Sequence, residues 1–488
     1  MPHTLRLLLL AGLFLSTGAH SETADQAIAR ATAAVQAATP RAQADPLHPA
    51  FHVTSPAQWM NDPNGPIYYR GYYHLFYQLH PFSDSDGPKY WGHVRSRDLV
   101  KWEALPIALA PSGDLGEAAI WSGCCTLNGL GQPMIFYTSI GVGKSAFDQA
   151  AQWAAVGGPD LIHWQKSPAN PVLPEAVNGA TKIYDWRDPF IFKAGKHTFL
   201  VTGGHLARER HAAVSIYEAR NAALTDWVYR GPLFEHPDAQ APTVECPNFF
   251  QLGNRWVLLV SPYGQVQYFV GDFDAATCRF TARARGVLDY GSSFYAPNTL
   301  QAPDGRRLVW GWLSGFPAGR GWNGCLSLPR QLSLSPDGQL RQTPAQPLSR
   351  LRGKAVAWHN VRLDSSAANF PLPATNTLEI QADFELGPAG KLALEIAGGS
   401  AADKPLVLSY DGARFAVLDA AAPLTLPADR TLNLRIFMDR SVLEVFVNDT
   451  VCFTKIIPGF TGGNLALRAS GGEAQAKRVR AWPMASIW

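Results

Sequence analysis

A unit of about 60 residues repeats through the first three quarters of the chain, and its period constrains the fold more than any other feature. Apolar stretches recur as YYHLFYQ (72–78), PMIFYTS (133–139), HTFLVTG (197–203), RWVLLVS (255–261) and RRLVWGW (306–312). Their centres, at Phe76, Phe136, Phe199, Leu258 and Val309, stand 60, 63, 59 and 51 residues apart. A second marker keeps step with the first: DLVKW ends at Trp102, DLIHW at Trp164 and LTDW at Trp227, with the tryptophans 62 and 63 apart. Strand and turn signals fill each unit. A unit of this length matches a four-stranded blade with generous loops, and five units fit between residues 50 and 350. The expectation is an all-β protein with a five-bladed β-propeller over residues 48–350.

The pattern changes near residue 350. Short alternating segments follow, among them TLEIQADFEL, KLALEIAG, LVLSYD and SVLEVFVND, with the length and spacing of a β-sandwich over 355–488. Ahead of the repeats, residues 22–47 are Ala-rich and broken at Pro40, which reads as a short helix or a spacer. Residues 1–21 carry Arg6, an apolar run over Leu7–Leu15 and a small-x-small site at Ala19-His20-Ser21. These are the marks of a secretory signal, so the expected location is secreted or periplasmic. No stretch is long and apolar enough for a membrane span.

A formal net charge of +3 on 488 residues gives no support for nucleic-acid binding, which needs basic residues clustered on one face. The six cysteines show no CxxC spacing, and Cys124 and Cys125 are adjacent. Buried free thiols are expected rather than a disulfide framework or structural zinc. SDSDG (83–87) lacks the glutamate of a calcium loop and reads as a solvated turn. His205 and His211, flanking LARER, read as a loop rather than a metal site.

About 14 residues before each strand centre lies a polar-aromatic stretch. These are WMNDPNG around Asp62, IWSGCC around Ser122, DWRDPF around Asp188, VECPNFF around Glu245 and SSFYAPN around Tyr295. Asp62-Pro63-Asn64-Gly65 alone is compatible with an ordinary Asx-turn. Five stretches in one phase are not, because equivalent positions of a propeller lie in a ring at one end of its channel. Asp62, Asp188 and Glu245 should therefore share one pocket. Clustered carboxylates raise one another's pKa, so they cost stability and mark a functional site. Metal ligation and acid–nucleophile chemistry on a glycosidic bond both use such a cluster. Arg187 would keep one acid ionised, while Trp59, Trp91, Trp121 and Phe294 supply flat faces for sugar rings, which favours the glycosidic reading. A thiol nucleophile at Cys246 is the weaker alternative, since no Cys–His pairing is readable.

WMNDPNG, FYQ (76–78), WGH (91–93), WSG (121–123), RDP (187–189), ECP (245–247) and SFYAP (293–297) together resemble the motif series of glycoside hydrolase family 32, the invertases, inulinases and levanases. The match runs in order from residue 48 to 350, and LRIFMDRSVLEVFVN (434–448) is similar to the β-sandwich of that family. The resemblance implies Asp62 as nucleophile, Asp188 as transition-state stabiliser and Glu245 as general acid/base. It places Trp59, Asn61, Gln78, Trp91, Trp121, Ser122, Arg187, Tyr295 and Phe316 around the fructose. It implies no metal and no cofactor, and a sucrose or fructan substrate cleaved from its terminal fructose with retention. Ser293 and Phe316 depart from the aspartate and tryptophan common in the family, which affects the leaving-group side. The alternatives are a fructosyltransferase, an endo-acting fructanase and, from another class, a non-catalytic sugar-binding propeller.

Overall fold

The computed structural model describes residues 22–207, 211–398, 404–460 and 462–488. The expected secretory signal, residues 1–21, lies outside them.

Five antiparallel sheets of four main strands each follow one another along the chain and make a five-bladed β-propeller. Their innermost strands are Gln58–Tyr69, Glu117–Leu127, Ile183–Ala194, Glu245–Leu252 and Phe294–Gln301. The recurring apolar stretches are the second strands, Tyr72–His80, Pro133–Gly141, His197–Leu206, Arg255–Ser261 and Arg307–Leu313. Eight of the nine residues of Tyr72–His80 are buried. A blade is covered on both faces by its neighbours, so its inner strands read as continuous apolar runs and not as alternating ones.

The tryptophan marker is a turn into the outermost strand. Leu99, Leu161 and Leu224 each adopt a left-handed φ, between 58° and 67°. All three leucines are buried. The Asp98 and Asp160 carboxylates accept the backbone N–H groups of Val100 and Ile162. In the second and third copies the tryptophan indole then donates to the carbonyl of that leucine, Trp164 at 2.7 Å and Trp227 at 3.1 Å. Burial of the leucine and these bonds offset the strain of a positive φ in a residue with a Cβ.

The ring closes without a covalent link. Trp322–Asn323, from the loop that follows the second strand of the fifth blade, pairs in parallel with Gln58–Trp59 of the first. A helix, Ala24–Ala44, is clasped over this seam. Thr23 and Gln26 form a capping box at its start, and Arg41 and Asp45 tie its end to Gly319, Arg320 and Trp322. The expected break at Pro40 does not occur. Pro40 is exposed on the helix, and the docked residues around it, including the buried Ala42, outweigh the lost backbone bond.

The C-terminal part is a sandwich of two six-stranded sheets. Its strand Val442–Val447 is buried on every residue because it faces two cores. Leu443, Val445 and Val447 point between the sheets, whereas Val442 and Phe446 join the propeller core. Glu444, between those last two, is also on the propeller side. Its carboxylate meets the buried Arg330 at 2.7 Å and His52 at 3.1 Å.

Candidate active site

Each innermost strand carries the same defect. Pairing with the second strand skips residues between Met60 and Pro63, Ile120 and Gly123, Arg187 and Phe190, Glu245 and Asn248, and Tyr295 and Asn298. In four blades a proline completes the bulge: Pro63, Pro189, Pro247 and Pro297. Proline has no N–H to offer a ladder and costs least where the ladder is already broken. The second blade has Gly123 instead, and a Cβ there would lie 1.9 Å from the Phe136 carbonyl oxygen.

The residue before each proline or glycine leans into the channel, giving one ring of Asp62, Ser122, Asp188, Cys246 and Ala296. The residue before that gives a second ring: Asn61, Trp121, Arg187, Glu245 and Tyr295. Asp188, Cys246 and Ala296 take left-handed φ values of 61°, 48° and 45°, strain concentrated at the site. Glu245 sits one register ahead of Asp62 and Asp188, in the ring of Arg187 and Tyr295, and the position equivalent to Asp62 in its blade is Cys246.

Both oxygens of Asp62 are held. Ser122 donates to Oδ2 and Asn61 to Oδ1 at 3.1 Å. Asn61 also donates to Gln78, Gln78 donates to Ser122 at 2.8 Å, and the Trp59 indole donates to Asn61 at 3.1 Å. Its partners are Ser122 of the second blade and the side chain of the preceding Asn61, not its own backbone two residues on, so Asp62 is not an Asx-turn. Burial pushes its carboxyl above the ordinary range, the bonds from Ser122 and Asn61 pull it down, and Glu245 pushes it up again.

Asp188 is fixed from two blades: its N–H donates to Thr138 Oγ1 at 2.8 Å, and its Oδ2 accepts the Cys246 N–H at 3.0 Å. Burial raises it to about 7, with Glu245 and Asp62 adding to the rise and Arg187 opposing it. The Cys246 thiol lies 3.6 Å from both Asp62 and Asp188. Burial first, and then these two carboxylates, hold it well above the ordinary thiol value. It is therefore a thiol that donates weakly to both acids, not a thiolate nucleophile.

Glu245 is gripped at each end of its carboxylate. Arg187 donates to Oε1 through Nη2 at 2.8 Å, and the Tyr295 hydroxyl donates to Oε2 at 2.6 Å. The same guanidinium pairs with Asp185 at 2.9 Å. Burial works against the Arg187 charge, but Asp188 and Glu245 outweigh it. Asn61, Gln78, Ser122, Arg187 and Asp188 are each less than a tenth exposed, while Asp62 and Glu245 remain partly open. The site is a narrow pocket with Asp62 and Glu245 toward the mouth.

Trp59 and Trp121 are half-buried at this mouth, with the Trp59 ring 5.8 Å from that of Trp312 and Trp121 beside Arg187. Three expected aromatic faces are not available. Trp91 is wholly buried, and its indole holds the Trp121 carbonyl at 3.1 Å. Phe294 is covered by the Arg330 guanidinium at 4.4 Å. Phe316 is packed edge-on against Trp322 in the blade seam. His205 belongs to the strand His197–Leu206, stacked on Tyr184, and is not a loop residue. Asp84 of SDSDG accepts the Gly321 N–H. Sequence reasoning missed Thr138, Asp185 and Tyr263, which lie outside the five motif stretches or carry no signal within them.

All six cysteines are unpaired thiols. Among the described residues, no cluster of histidine, cysteine and carboxylate side chains could hold a metal ion, and no helix is long and apolar enough to cross a membrane.

The profile described as "Glycosyl hydrolases family 32 N-terminal domain" matches residues 52–344, and that of the family's C-terminal domain matches 347–483. The chain is 33% identical over 440 residues to a sucrose-6-phosphate hydrolase of Zymomonas mobilis, covering 82% of this chain and 84% of that one. It is 31% identical over 501 residues to a levanase of Bacillus subtilis, covering 90% of this chain and 71% of the levanase. A solved Bombyx mori β-fructofuranosidase superposes with a TM-score of 0.80 at 27% identity, covering 95% of this chain and 99% of its own.

Proposed function

The chain belongs to glycoside hydrolase family 32 and is a glycosidase acting on fructosides, and from this premise we propose a retaining exo-β-fructofuranosidase of sucrose and unphosphorylated fructans. One observation carries the reading: Asp62 and Glu245 remain partly open at the pocket mouth, while Asn61, Gln78, Ser122, Arg187 and Asp188 are closed off behind them. Asp62, oriented by Ser122 and Asn61, attacks the anomeric carbon of a terminal fructosyl unit. As the glycosidic C–O bond breaks, Glu245 gives its proton to the leaving oxygen. Water then displaces Asp62 and surrenders a proton to Glu245, so two inversions leave the configuration retained. Asp188, anchored through one oxygen by the Cys246 N–H, offers the other to ring hydroxyls as oxocarbenium charge develops.

A pocket closed behind the fructose admits the chain end and nothing beyond it, which supports exo-attack. The relatives include proteins named for sucrose-6-phosphate. Sucrose and sucrose-6-phosphate are therefore both offered to the enzyme. The residue 1–21 segment supports an exported enzyme.

Purified enzyme offered sucrose, sucrose-6-phosphate, inulin and levan tests the reading. Free fructose as the sole early product from sucrose and from either fructan is the expected result. An early ladder of oligosaccharides would make the enzyme endo-acting, growth of longer fructans would make it a transferase, and preference for the phosphorylated sugar would overturn the substrate assignment.

A further inference from the structure

The hydrogen bonds on the two oxygens of Glu245 do not end at Arg187 and Tyr295. Both lead to Tyr263. Its backbone N–H donates to the Tyr295 hydroxyl at 3.1 Å, and its own hydroxyl accepts from Arg187 Nη2 at 2.7 Å. Glu245, Tyr295, Tyr263 and Arg187 thus form a closed circuit, with one residue tied at both its ends around the acid/base. Tyr263 sits in the Ser261-Pro262-Tyr263-Gly264 turn after the second strand of the fourth blade, with a φ of 57°. It is nevertheless 58% exposed, the most open aromatic ring of any residue bonded to the site. A side chain anchored at backbone and hydroxyl yet open to solvent presents its ring face outward. An aromatic ring fixed at the rim of a polar pocket offers a flat apolar face to whatever enters it.

Position decides what that face contacts. The fructose lies deeper, between Asp62 and Asp188, and the group that leaves must stand where Glu245 can protonate it, which is the side that Tyr263 encloses. We propose that the Tyr263 ring is the stacking platform for the leaving-group sugar, a neutral hexose or the next fructose of a fructan. Its two anchors hold the platform in register with the proton donor. This inference rests on the β-fructofuranosidase reading and adds the residue that grips the second ring. Stacking on a fixed aromatic face carries little entropic cost, because the platform is already immobile.

Tyr263→Ala and Tyr263→Phe are compared with wild type for steady-state hydrolysis of sucrose and for inhibition by fructose, which occupies only the inner pocket. Wild-type turnover of sucrose tests the reaction itself, and the variants test Tyr263. The expected pattern is a rise of about tenfold in KM for sucrose in Tyr263→Ala, the scale of losing one apolar contact surface, with the inhibition constant of fructose unchanged. Tyr263→Phe keeps the ring and should keep the sucrose KM within about threefold, while kcat falls because Arg187 loses one anchor. An unchanged sucrose KM in Tyr263→Ala overturns the proposal. So does an equal loss in fructose inhibition, which would mean collapse of the inner pocket. Equal KM effects in both variants would assign the role to the hydroxyl and overturn the stacking platform.

Discussion

At the scale of single residues the pocket is a set of opposed terms on one carboxylate. As the proposed nucleophile Asp62 must be ionised, yet burial raises it, and the Ser122 hydrogen bond is the strongest influence lowering it. The acid limb of the kcat/KM profile should therefore lie above the ordinary carboxylate range. Ser122→Ala should move that limb further up, because the removed bond favours the charged form; a limb that stays put or moves down would show that Ser122 does not tune Asp62. Asp62→Asn keeps the shape and the acceptor for Ser122 but has no nucleophile. Its kcat should fall by about four orders of magnitude while the melting temperature holds or rises, as found for other covalent catalytic residues and strained sites. Retention of more than a few per cent of activity in a clean preparation would remove Asp62 from that role. Asp62 and Asp188 are legible in the sequence because each stands next to a proline in a fixed phase, and Glu245 because it stands two residues before the equivalent Pro247. The side to which Trp91, Phe294 and Phe316 turn is not, because it is set by the groups each packs against: the Trp121 carbonyl, the Arg330 guanidinium and the Trp322 ring.

Among the elements, the bulge is the unit that converts a repeat into a site. Four prolines and one glycine mark it, which makes it readable from residue order alone, and the register of Glu245 with it, since Glu245 stands two residues before Pro247 while Asp62 and Asp188 stand one before theirs. Gly123 carries the sharpest constraint. A methyl group there meets the Phe136 carbonyl oxygen at 1.9 Å and the Tyr137 Cα at 2.8 Å, backbone atoms that cannot step aside. Gly123→Ala should force the first two strands of the second blade apart, costing about 3 kcal/mol or more of stability. It should also lower kcat/KM by at least tenfold through the displaced Ser122. A thermal melt and a sucrose assay together check this, and near-wild-type values in both would mean that the bulge is compliant. The helix Ala24–Ala44 teaches the opposite lesson about legibility. Its capping box is present in the sequence, but Pro40 argues for an early stop, and only docking against the blade seam decides the outcome.

For the whole molecule, the propeller and the sandwich share a core and a buried ionic network. Arg330 of the propeller pairs with Asp289 and with Glu444 of the sandwich, which also contacts His52, itself bonded to Asp439 at 2.8 Å. None of these could be paired from sequence, since His52 and Glu444 are 392 positions apart. Burial opposes the His52 charge, but the bonds to Asp439 and Glu444 outweigh it and raise His52 to about 9. Because the folded value exceeds the unfolded one, this stabilisation is complete below about pH 6.5 and is lost as pH rises through about 9. The loss should be on the order of 3 kcal/mol, read as a falling melting temperature between those limits. His52→Gln should be less stable at neutral pH and should lack that slope; an equal slope in both proteins would place the titration elsewhere. Four of the five junctions between blades are bridged by continuous chain. The fifth, between last blade and first, is held by contact alone, at the parallel pairing of Trp322–Asn323 with Gln58–Trp59. Trp59 stands on that seam and on the rim of the pocket at once. A ring with one uncemented joint breathes there first, so the catalytic mouth is also the place where the enzyme begins to come undone, and activity fades on heating before the fold does.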